Sequence, residues 1–115
     1  MNDFRFTKPE RLLQRSDFLK AGREARQRVE TKNFLVLLRP NGLSHTRLGV
    51  TVTKKIGKAV TRNRIKRHVR EFYRHNKSLL PPGYDMVVIA RQGAAELGTA
   101  AIREQLRTVL GRPEF

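Results

Sequence analysis

The sequence KKIGKAVTRNRIKRHVREFYR, residues 54–74, decides the fold, because within it the hydrophobic period changes from two residues to 3.6. Ile65, Val69, Phe72 and Tyr73 recur at i, i+4, i+7 and i+8. That spacing is typical of the apolar stripe on an amphipathic helix. We therefore predict a helix from about residue 60 to residue 75, with this stripe facing the protein interior.

Two strands are predicted upstream of this helix. Residues 47–53 alternate, with Leu48, Val50 and Val52 on one face, which indicates a half-buried strand. The apolar run FLVLLR at residues 34–39 has the length of a strand and ends at a Pro-Asn-Gly turn. We predict that these two strands pair antiparallel.

Two further elements are predicted downstream of the helix. The most strand-like stretch of the chain is YDMVVIAR at residues 84–91, which is apolar enough to lie centrally in a sheet. Thr99 can cap a final helix that Gly111 ends. The inward face of that helix is predicted to carry Ile102, Leu106, Val109 and Leu110.

The N-terminal part of the chain predicts one more helix. Ser16 is a candidate N-cap, Asp17 suits the first turn, and the helix runs to about residue 26. Gly22 weakens it by about 1 kcal/mol relative to alanine. A short strand at residues 26–29, or one extending from residue 31, is left open. The predicted order is helix, two or three strands, helix, strand, helix, which is an α+β sandwich with one sheet.

Charge is the outlying property of the composition. The 115 residues, enough for a single domain spanning 1–115, contain 25 Lys and Arg against 10 Asp and Glu, a formal net charge of +15. Self-repulsion of this size destabilises a compact chain unless a polyanion relieves it. The expected partner is therefore a nucleic acid or, less favoured, an anionic membrane.

Other classes of protein are disfavoured by what the sequence lacks. It has no cysteine, which excludes disulfides, thiolate metal sites and cysteine nucleophiles. No apolar run approaches the roughly 18–20 residues of a membrane span. The first 18 residues carry scattered charges and lack the apolar stretch of a signal peptide. We expect a cytoplasmic protein that does not engage a membrane.

The helix within residues 54–74 carries an arginine-rich face. Asn63, Arg67, Arg70 and Arg74 lie together on the helical wheel, opposite the apolar stripe. A solvated helix face is the simplest alternative, but it predicts mixed signs, and Glu71 is the one acid in this block. The planar guanidinium fork suits bidentate contacts with phosphate. We interpret this face as a polyanion-binding ridge.

RNA is favoured over DNA as the polyanion. A helix-turn-helix requires a second helix just upstream, where the pattern predicts a strand. A basic zipper requires heptads downstream, where Pro81-Pro82 interrupts the helix. A basic helix on a sheet suits structured or single-stranded RNA. A structural RNA binder such as a ribosomal protein, and a basic DNA-compacting protein, remain as alternatives.

One string in this block resembles a known family. KKIGKAVTRNRIKR at residues 54–67, followed by Arg70-Glu71, resembles the RNR signature of the bacterial ribonuclease P protein. RLGVTV at residues 47–52 resembles the strand that leads into it, residues 85–91 the strand that follows, and Ser16-Asp17-Phe18 the first helix. The resemblance covers nearly the whole chain, and the RNR string is highly specific.

The resemblance implies a more detailed fold. The family has a single four-stranded sheet with helices in the order α-β-β-β-α-β-α, a ribosomal-protein-like two-layer sandwich. It also implies a left-handed βαβ crossover around the RNR helix, which is an exception to the right-handed rule.

The resemblance also implies a function. In this family the protein is the non-catalytic subunit of an endoribonuclease: a catalytic RNA subunit, with Mg²⁺ as its cofactor, hydrolyses the bond that frees the 5′ leader from precursor tRNA. The implied partners are the catalytic ribonuclease P RNA and precursor tRNA, with no other protein required. We expect no catalytic residue and no metal site on the protein itself, because its three histidines and its acids are scattered along the chain.

The candidate binding residues form two groups. The resemblance assigns to the RNA-facing surface Lys55, Arg62, Asn63, Arg64, Arg67 and Arg70, and the charge pattern adds Lys54, Lys58, Lys66 and Arg74. Phe18 is implied to line a leader cleft between the first helix and the sheet. Phe34 is a second cleft candidate as a base-stacking platform, although a single aromatic in an apolar strand is more often part of the core. Gly22 and Leu37 stand where some relatives carry further aromatics, so the leader contact here is expected to rely more on shape and charge.

Overall fold

Within the part of the chain that the structure describes, three helices and four strands follow one another in the order that the resemblance implies. The computed structural model describes residues 10–11, 15–80 and 82–110. The elements are α1 (Arg15–Glu24), β1 (Gln27–Glu30), β2 (Phe34–Pro40), β3 (Arg47–Thr51), α2 (Ala59–Asn76), β4 (Tyr84–Ala90) and α3 (Thr99–Leu110). Short 3₁₀ turns cover Lys77–Leu79 and Ala94–Glu96. The predicted elements are all present, and the strand left open upstream of residue 34 is β1.

The boundaries differ from the predictions by one or two residues, as helix and strand ends commonly do. Helix α1 begins at Arg15, so Ser16 lies inside its first turn and does not precede it. Strand β3 ends at Thr51, two residues early, because the chain then turns towards α2. The predicted end of α3 at Gly111 and the side chain of Leu110 lie outside the described residues.

The sheet has the strand order β1-β2-β4-β3. Strand β4 pairs antiparallel with β2 and parallel with β3. The predicted antiparallel pairing of β2 with β3 is therefore wrong. The reason is burial: β2 and β4 are both buried on two faces and take the two central positions of the sheet, which leaves the less buried β3 at the edge beside β4. The chain crosses to the far edge after β2 and returns through α2.

Alternating side chains divide the core between the two faces of the sheet. Phe34, Val36 and Leu38 of β2 point to the face that α2 and α3 cover. Leu35 and Leu37 point to the opposite face, where they meet Ala21 of α1. The α2–α3 layer gives the expected sandwich, and α1 adds a smaller layer on the other side. The described sheet thus has helices on both faces.

The side chains predicted to hold α2 and α3 in place are buried. Ile65 and Val69 of α2 are 0% exposed, as is Ile102 of α3, and all three belong to the larger core.

No described helix is long and apolar enough to cross a membrane.

A polar network ties α3 to the turn between β1 and β2. The amide oxygen of Gln105 accepts hydrogen bonds from the Thr31 hydroxyl at 2.7 Å and the Asn33 backbone N–H at 2.9 Å. The Asn33 side chain in turn donates to the carbonyl of Gln92 at 2.9 Å. Gly93 follows at φ +90°, where an added Cβ would lie 2.7 Å from the Asn33 amide nitrogen. This network positions the turn at residues 94–96 beside α2.

Candidate nucleic-acid interface

Helix α2 presents the predicted ridge. Asn63, Arg67 and Arg70 are exposed on the side opposite the buried stripe. Within the described residues, the guanidinium of neither Arg67 nor Arg70 takes part in an ion pair or a hydrogen bond. These two cations are therefore available to an external anion.

Arg74, the last predicted member of the ridge, is engaged within the protein. Its guanidinium donates to the Glu71 carboxylate at 2.7 Å. This hydrogen bond is the main reason that the pKa of Glu71 lies below its ordinary value. Arg74 thus neutralises Glu71, the one acid beside the ridge. The carboxylate of Glu71 then does not repel a phosphate that approaches the ridge.

Arg64 lies on the flank of α2 that faces the turn at residues 94–96. Its two terminal nitrogens donate to the backbone carbonyls of Leu97 at 2.9 Å and Ala95 at 2.8 Å. Two carbonyl partners orient the guanidinium towards the protein. Among the predicted RNA-facing residues, Arg64 is thus also a link between α2 and the segment leading to α3.

Arg62 and Lys66 lie half-buried on the other flank of α2. The Nε atom of Arg62 is buried and has no hydrogen-bond partner within the described part of the chain. These two residues share the helix with the ridge, but their stems are partly covered.

The start of α2 concentrates positive charge. Lys54, Lys55 and Lys58 are exposed in the segment that leads into the helix, and the first turn contains no acid. Lys58 occupies the N-cap position with extended backbone and no side-chain capping hydrogen bond. Because the first N–H groups of a helix and its dipole also favour anions, the lysines and the helix end attract the same ligand.

Val60 adds an apolar element to this surface. It is 80% exposed, and with Asn63, Arg64 and Arg67 it lines a shallow groove of about 400 Å³. Apolar contact beside cationic and amide groups is the combination that suits a ribose or base edge together with its phosphate.

His68 lies between α2 and α3. Its Nε2 atom is 3.2 Å from the Thr99 hydroxyl. Burial lowers the pKa of His68, and the neighbouring Arg67, Arg64 and Arg103 lower it further, which outweighs the opposing effect of Glu71. The neutral imidazole is therefore favoured, and its contact with Thr99 joins the two helices.

A second groove opens on the opposite face of the sheet. Arg15, Phe18 and Leu19 of α1 and Thr51 of β3 line about 450 Å³ of open space. Phe18 is half-buried against the smaller core, and Leu19 is 50% exposed. This groove lies between the first helix and the sheet, where the resemblance implies the leader cleft.

Phe34 does not line this groove. Its side chain is 0% exposed and lies in the larger core, on the α2–α3 side of the sheet. The alternation of β2 sends its odd-numbered neighbours Leu35 and Leu37 towards α1 and Phe34 away from it. The assignment of Phe34 to the cleft is thus corrected to a core role, the alternative that a single aromatic in an apolar strand already favoured.

A buried ion cluster beneath α1 was not predicted from the sequence, in which Asp85 is one of ten scattered acids. Asp85 is 0% exposed, and Arg47 donates to both of its carboxylate oxygens at 2.8 Å. Asn41 donates to it at 2.9 Å, and Arg39 lies at 3.4 Å. The hydrogen bond to Asp85 is the main cause of the raised pKa of Arg47.

The same cluster reaches α1. Arg47 lies 3.6 Å from Asp17, and Arg39 donates to Glu24 at 3.2 Å. One signal could have found it: Asp85 shares its strand face with Val87 and Ile89, and a buried acid requires cationic partners on adjacent strands. The cluster fixes the helix that forms one wall of the groove.

No metal site accompanies these surfaces in the described part of the chain: no group of three or more His, Asp or Glu side chains there could hold a metal ion.

Comparison with known proteins identifies relatives of the chain. The family model described as Ribonuclease P matches residues 6–114. A ribonuclease P protein component from Citrifermentans bemidjiense is 46% identical over 112 residues, which cover 97% of this chain and 95% of that protein. One from Thermotoga maritima is 43% identical over 113 residues, covering 95% and 96%.

Solved structures agree with the sequence relatives. The RNase P protein from Thermotoga maritima superimposes with a TM-score of 0.81 at 42% identity, covering 92% of this chain and 99% of that one. The RNase P protein from Staphylococcus aureus also gives a TM-score of 0.81, at 37% identity, covering 88% and 92%. Both the fold and the sequence are therefore shared over nearly the full chain.

Proposed function

The chain belongs to the ribonuclease P protein family, and we propose that it acts as the RNA-binding protein subunit of the holoenzyme that removes the 5′ leader from precursor tRNA. In this proposal the α2 ridge binds the catalytic RNA and the α1 groove receives the leader. No other protein is required. The cytoplasm is the proposed location, because precursor tRNA is processed there.

The observation that carries the proposal is the pair of unengaged cations Arg67 and Arg70 on α2, continuous with the lysines before the helix. A duplex or single strand of RNA offers phosphates to such a row, and the release of counterions supplies much of the affinity. The guanidinium forks add bidentate contacts that hold the register.

The groove supports the second half of the proposal. It is open to solvent, so a single strand of RNA can enter it. Phe18 provides an aromatic face and Arg15 a cation at the same groove, which is the combination that single-stranded nucleic acid uses. Because the groove and the ridge lie on opposite faces of the sheet, one molecule can contact two RNA segments.

The hydrolysis is assigned to the RNA subunit. Mg²⁺ there would generate the nucleophile from bound water and stabilise the charge that develops on phosphate. The protein contributes affinity and orientation, and by neutralising phosphates it lowers the Mg²⁺ concentration that the folded RNA and its substrate require.

The proposal is tested by reconstitution with a catalytic ribonuclease P RNA and a precursor tRNA. We expect cleavage at low Mg²⁺ only when both RNA and protein are present, with the leader released at the mature 5′ end. The control is the same RNA alone at high Mg²⁺. An unchanged cleavage rate and Mg²⁺ requirement on adding the protein would refute the proposal. Equal affinity for leader-bearing and mature tRNA would instead favour a purely structural RNA-binding role.

A further inference from the structure

A third groove lies between the second half of α2 and the outer side of α3. It has a volume of about 280 Å³ and is lined by Phe72, His75, Asn76, Arg103 and Arg107. None of these residues belongs to the ridge or to the α1 groove. The groove therefore needs an explanation of its own.

Two arginines dominate the charge of this groove. Arg103 and Arg107 are exposed and stand four residues apart on α3, so their side chains lie one above the other on the same face. Within the described residues, neither guanidinium takes part in a hydrogen bond or an ion pair. Their spacing is on the scale of adjacent phosphates along an RNA strand.

The acids near this groove do not cancel its charge. Glu71 is bound by Arg74 at 2.7 Å, and Glu104, which is exposed, neither lines the groove nor forms an ion pair with either arginine within the described residues. Arg103 is one of the cations that lower the pKa of Glu71 and of His68, so its field extends over the flank of α2. The groove and that flank together form a positive surface.

One flank of α2 separates the groove from the ridge. On a helix with 100° per residue, Glu71 and His75 lie between the ridge residue Arg67 and the buried Phe72. A strand that crosses the ridge therefore passes over the neutralised Arg74–Glu71 pair before it reaches Arg103 and Arg107. Phe72 supplies an apolar floor there, and the Asn76 amide, which donates to the Phe72 carbonyl at 2.8 Å, lies beside it.

We propose that Arg103 and Arg107 form a second phosphate-binding site, which extends the α2 ridge onto α3 and binds the same catalytic RNA. This inference rests on the proposed function, because it takes the RNA on the ridge to be the catalytic subunit. It adds two phosphate contacts from residues that lie outside the RNR string.

The test compares two double variants that lose the same charge. Arg103→Ala/Arg107→Ala removes the site, and Arg23→Ala/Arg28→Ala removes two exposed arginines on the α1 side of the sheet. Binding of the catalytic RNA is measured across a series of salt concentrations. The plot of log affinity against log salt has a negative slope. For the first variant we expect its magnitude to fall by roughly 1.4–1.8, because each lost phosphate contact contributes about 0.7–0.9. The second should leave the slope unchanged.

Circular dichroism and thermal unfolding verify that both variants fold, and Arg103→Gln/Arg107→Gln serves as a second pair if the alanines disturb α3. An unchanged slope, or an equal decrease in both variants, would overturn the inference. So would a loss confined to precursor tRNA. Cleavage by the wild-type holoenzyme tests the proposed function independently of this site. If the wild-type protein stimulates cleavage while Arg103→Ala/Arg107→Ala retains the wild-type salt slope, only the inference about α3 fails.

Discussion

At the scale of single residues, the arginines of α2 have different roles despite similar sequence surroundings. Arg67 is exposed to solvent, Arg74 is bound to Glu71, and Arg64 is held by two backbone carbonyls. The helical phase explains the difference, because Arg64 lies about 90° around the helix from the centre of the ridge, on the side that faces α3. Charge alone does not distinguish an RNA contact from a structural link.

Arg64→Ala should therefore reduce stability more than Arg67→Ala does. Losing the Arg64 guanidinium leaves the carbonyls of Ala95 and Leu97 without that donor, and we expect a cost of about 1–2 kcal/mol in the free energy of unfolding. Arg67→Ala, at an exposed position, should change it by no more than about 0.5 kcal/mol while weakening RNA binding. Urea denaturation measures the first effect and RNA titration the second. Equal stability of the two variants would contradict the structural role of Arg64.

His68 makes stability depend on pH. Its pKa is lower in the folded protein than its ordinary value of 6.5, so the folded state binds fewer protons than the unfolded state does. By linkage, its contribution is fully present above that ordinary value and is lost as the pH falls towards the folded pKa. Relative to His68→Gln, the wild-type protein should thus lose stability as the pH falls below about 6.5. Parallel unfolding curves at each pH measure the difference, and a difference independent of pH would refute the assignment.

At the scale of elements, α1 is attached to the sheet by a small apolar contact and by charges. Ala21 and Phe18 meet Leu35, Leu37 and Val87. The buried Asp85 cluster adds Arg47 and Arg39, which reach Asp17 and Glu24 on the helix. Because the apolar contact is limited, the ion cluster determines how α1 is placed over the groove.

Asp85→Asn is expected to be strongly destabilising. It leaves Arg47 without a buried counter-charge, a change that typically costs about 3–5 kcal/mol. The matched control is Glu24→Gln, which removes the charge that pairs with Arg39. Because the Glu24 side chain is 54% exposed, the free energy of unfolding should fall by no more than about 1 kcal/mol. Chemical denaturation compares the two. A small effect of Asp85→Asn would mean that the cluster does not hold β3 and β4 to α1.

At the scale of the whole molecule, the sheet separates two proposed RNA-binding surfaces. The α1 groove lies on one face, and the helix that carries the ridge covers the other. Substitutions on one face should therefore affect one RNA and leave the other unchanged, because residues so separated contribute additively.

Phe18→Ala should selectively weaken the binding of leader-bearing precursor tRNA. The loss of one stacked base should reduce the binding free energy by about 1–3 kcal/mol. Phe18→Leu, which keeps an apolar contact with the smaller core, separates lost stacking from lost stability. Binding of precursor and mature tRNA to the reconstituted holoenzyme is the measurement. An equal loss for both substrates would remove Phe18 from the cleft.

Arg67→Ala/Arg70→Ala should have the complementary effect. Assembly with the catalytic RNA should weaken, and its salt slope should fall by roughly 1.4–1.8, because two phosphate contacts are lost. The preference for leader-bearing tRNA should persist once the complex is saturated. A salt slope equal to that of the wild type would show that these side chains do not contact phosphate.

The sequence by itself determined the elements and the location of the basic surface. The stripe Ile65, Val69, Phe72 and Tyr73 follows the helical period so regularly that burial of α2 and exposure of Arg67 both followed from it. The RNR string likewise indicated the family before any geometry was known. These properties depend on neighbours along the chain, and local spacing suffices to predict them.

Only the tertiary structure decided which strands are adjacent and which charges are engaged. The insertion of β4 between β2 and β3 depends on the burial of both its faces, which overrides the closeness of β2 and β3 in sequence. The burial of Phe34, the Asp85 cluster and the contact of Arg64 with the turn before α3 all join residues distant in the chain. Such contacts depend on how the layers come together in space, which the local pattern of residues does not specify.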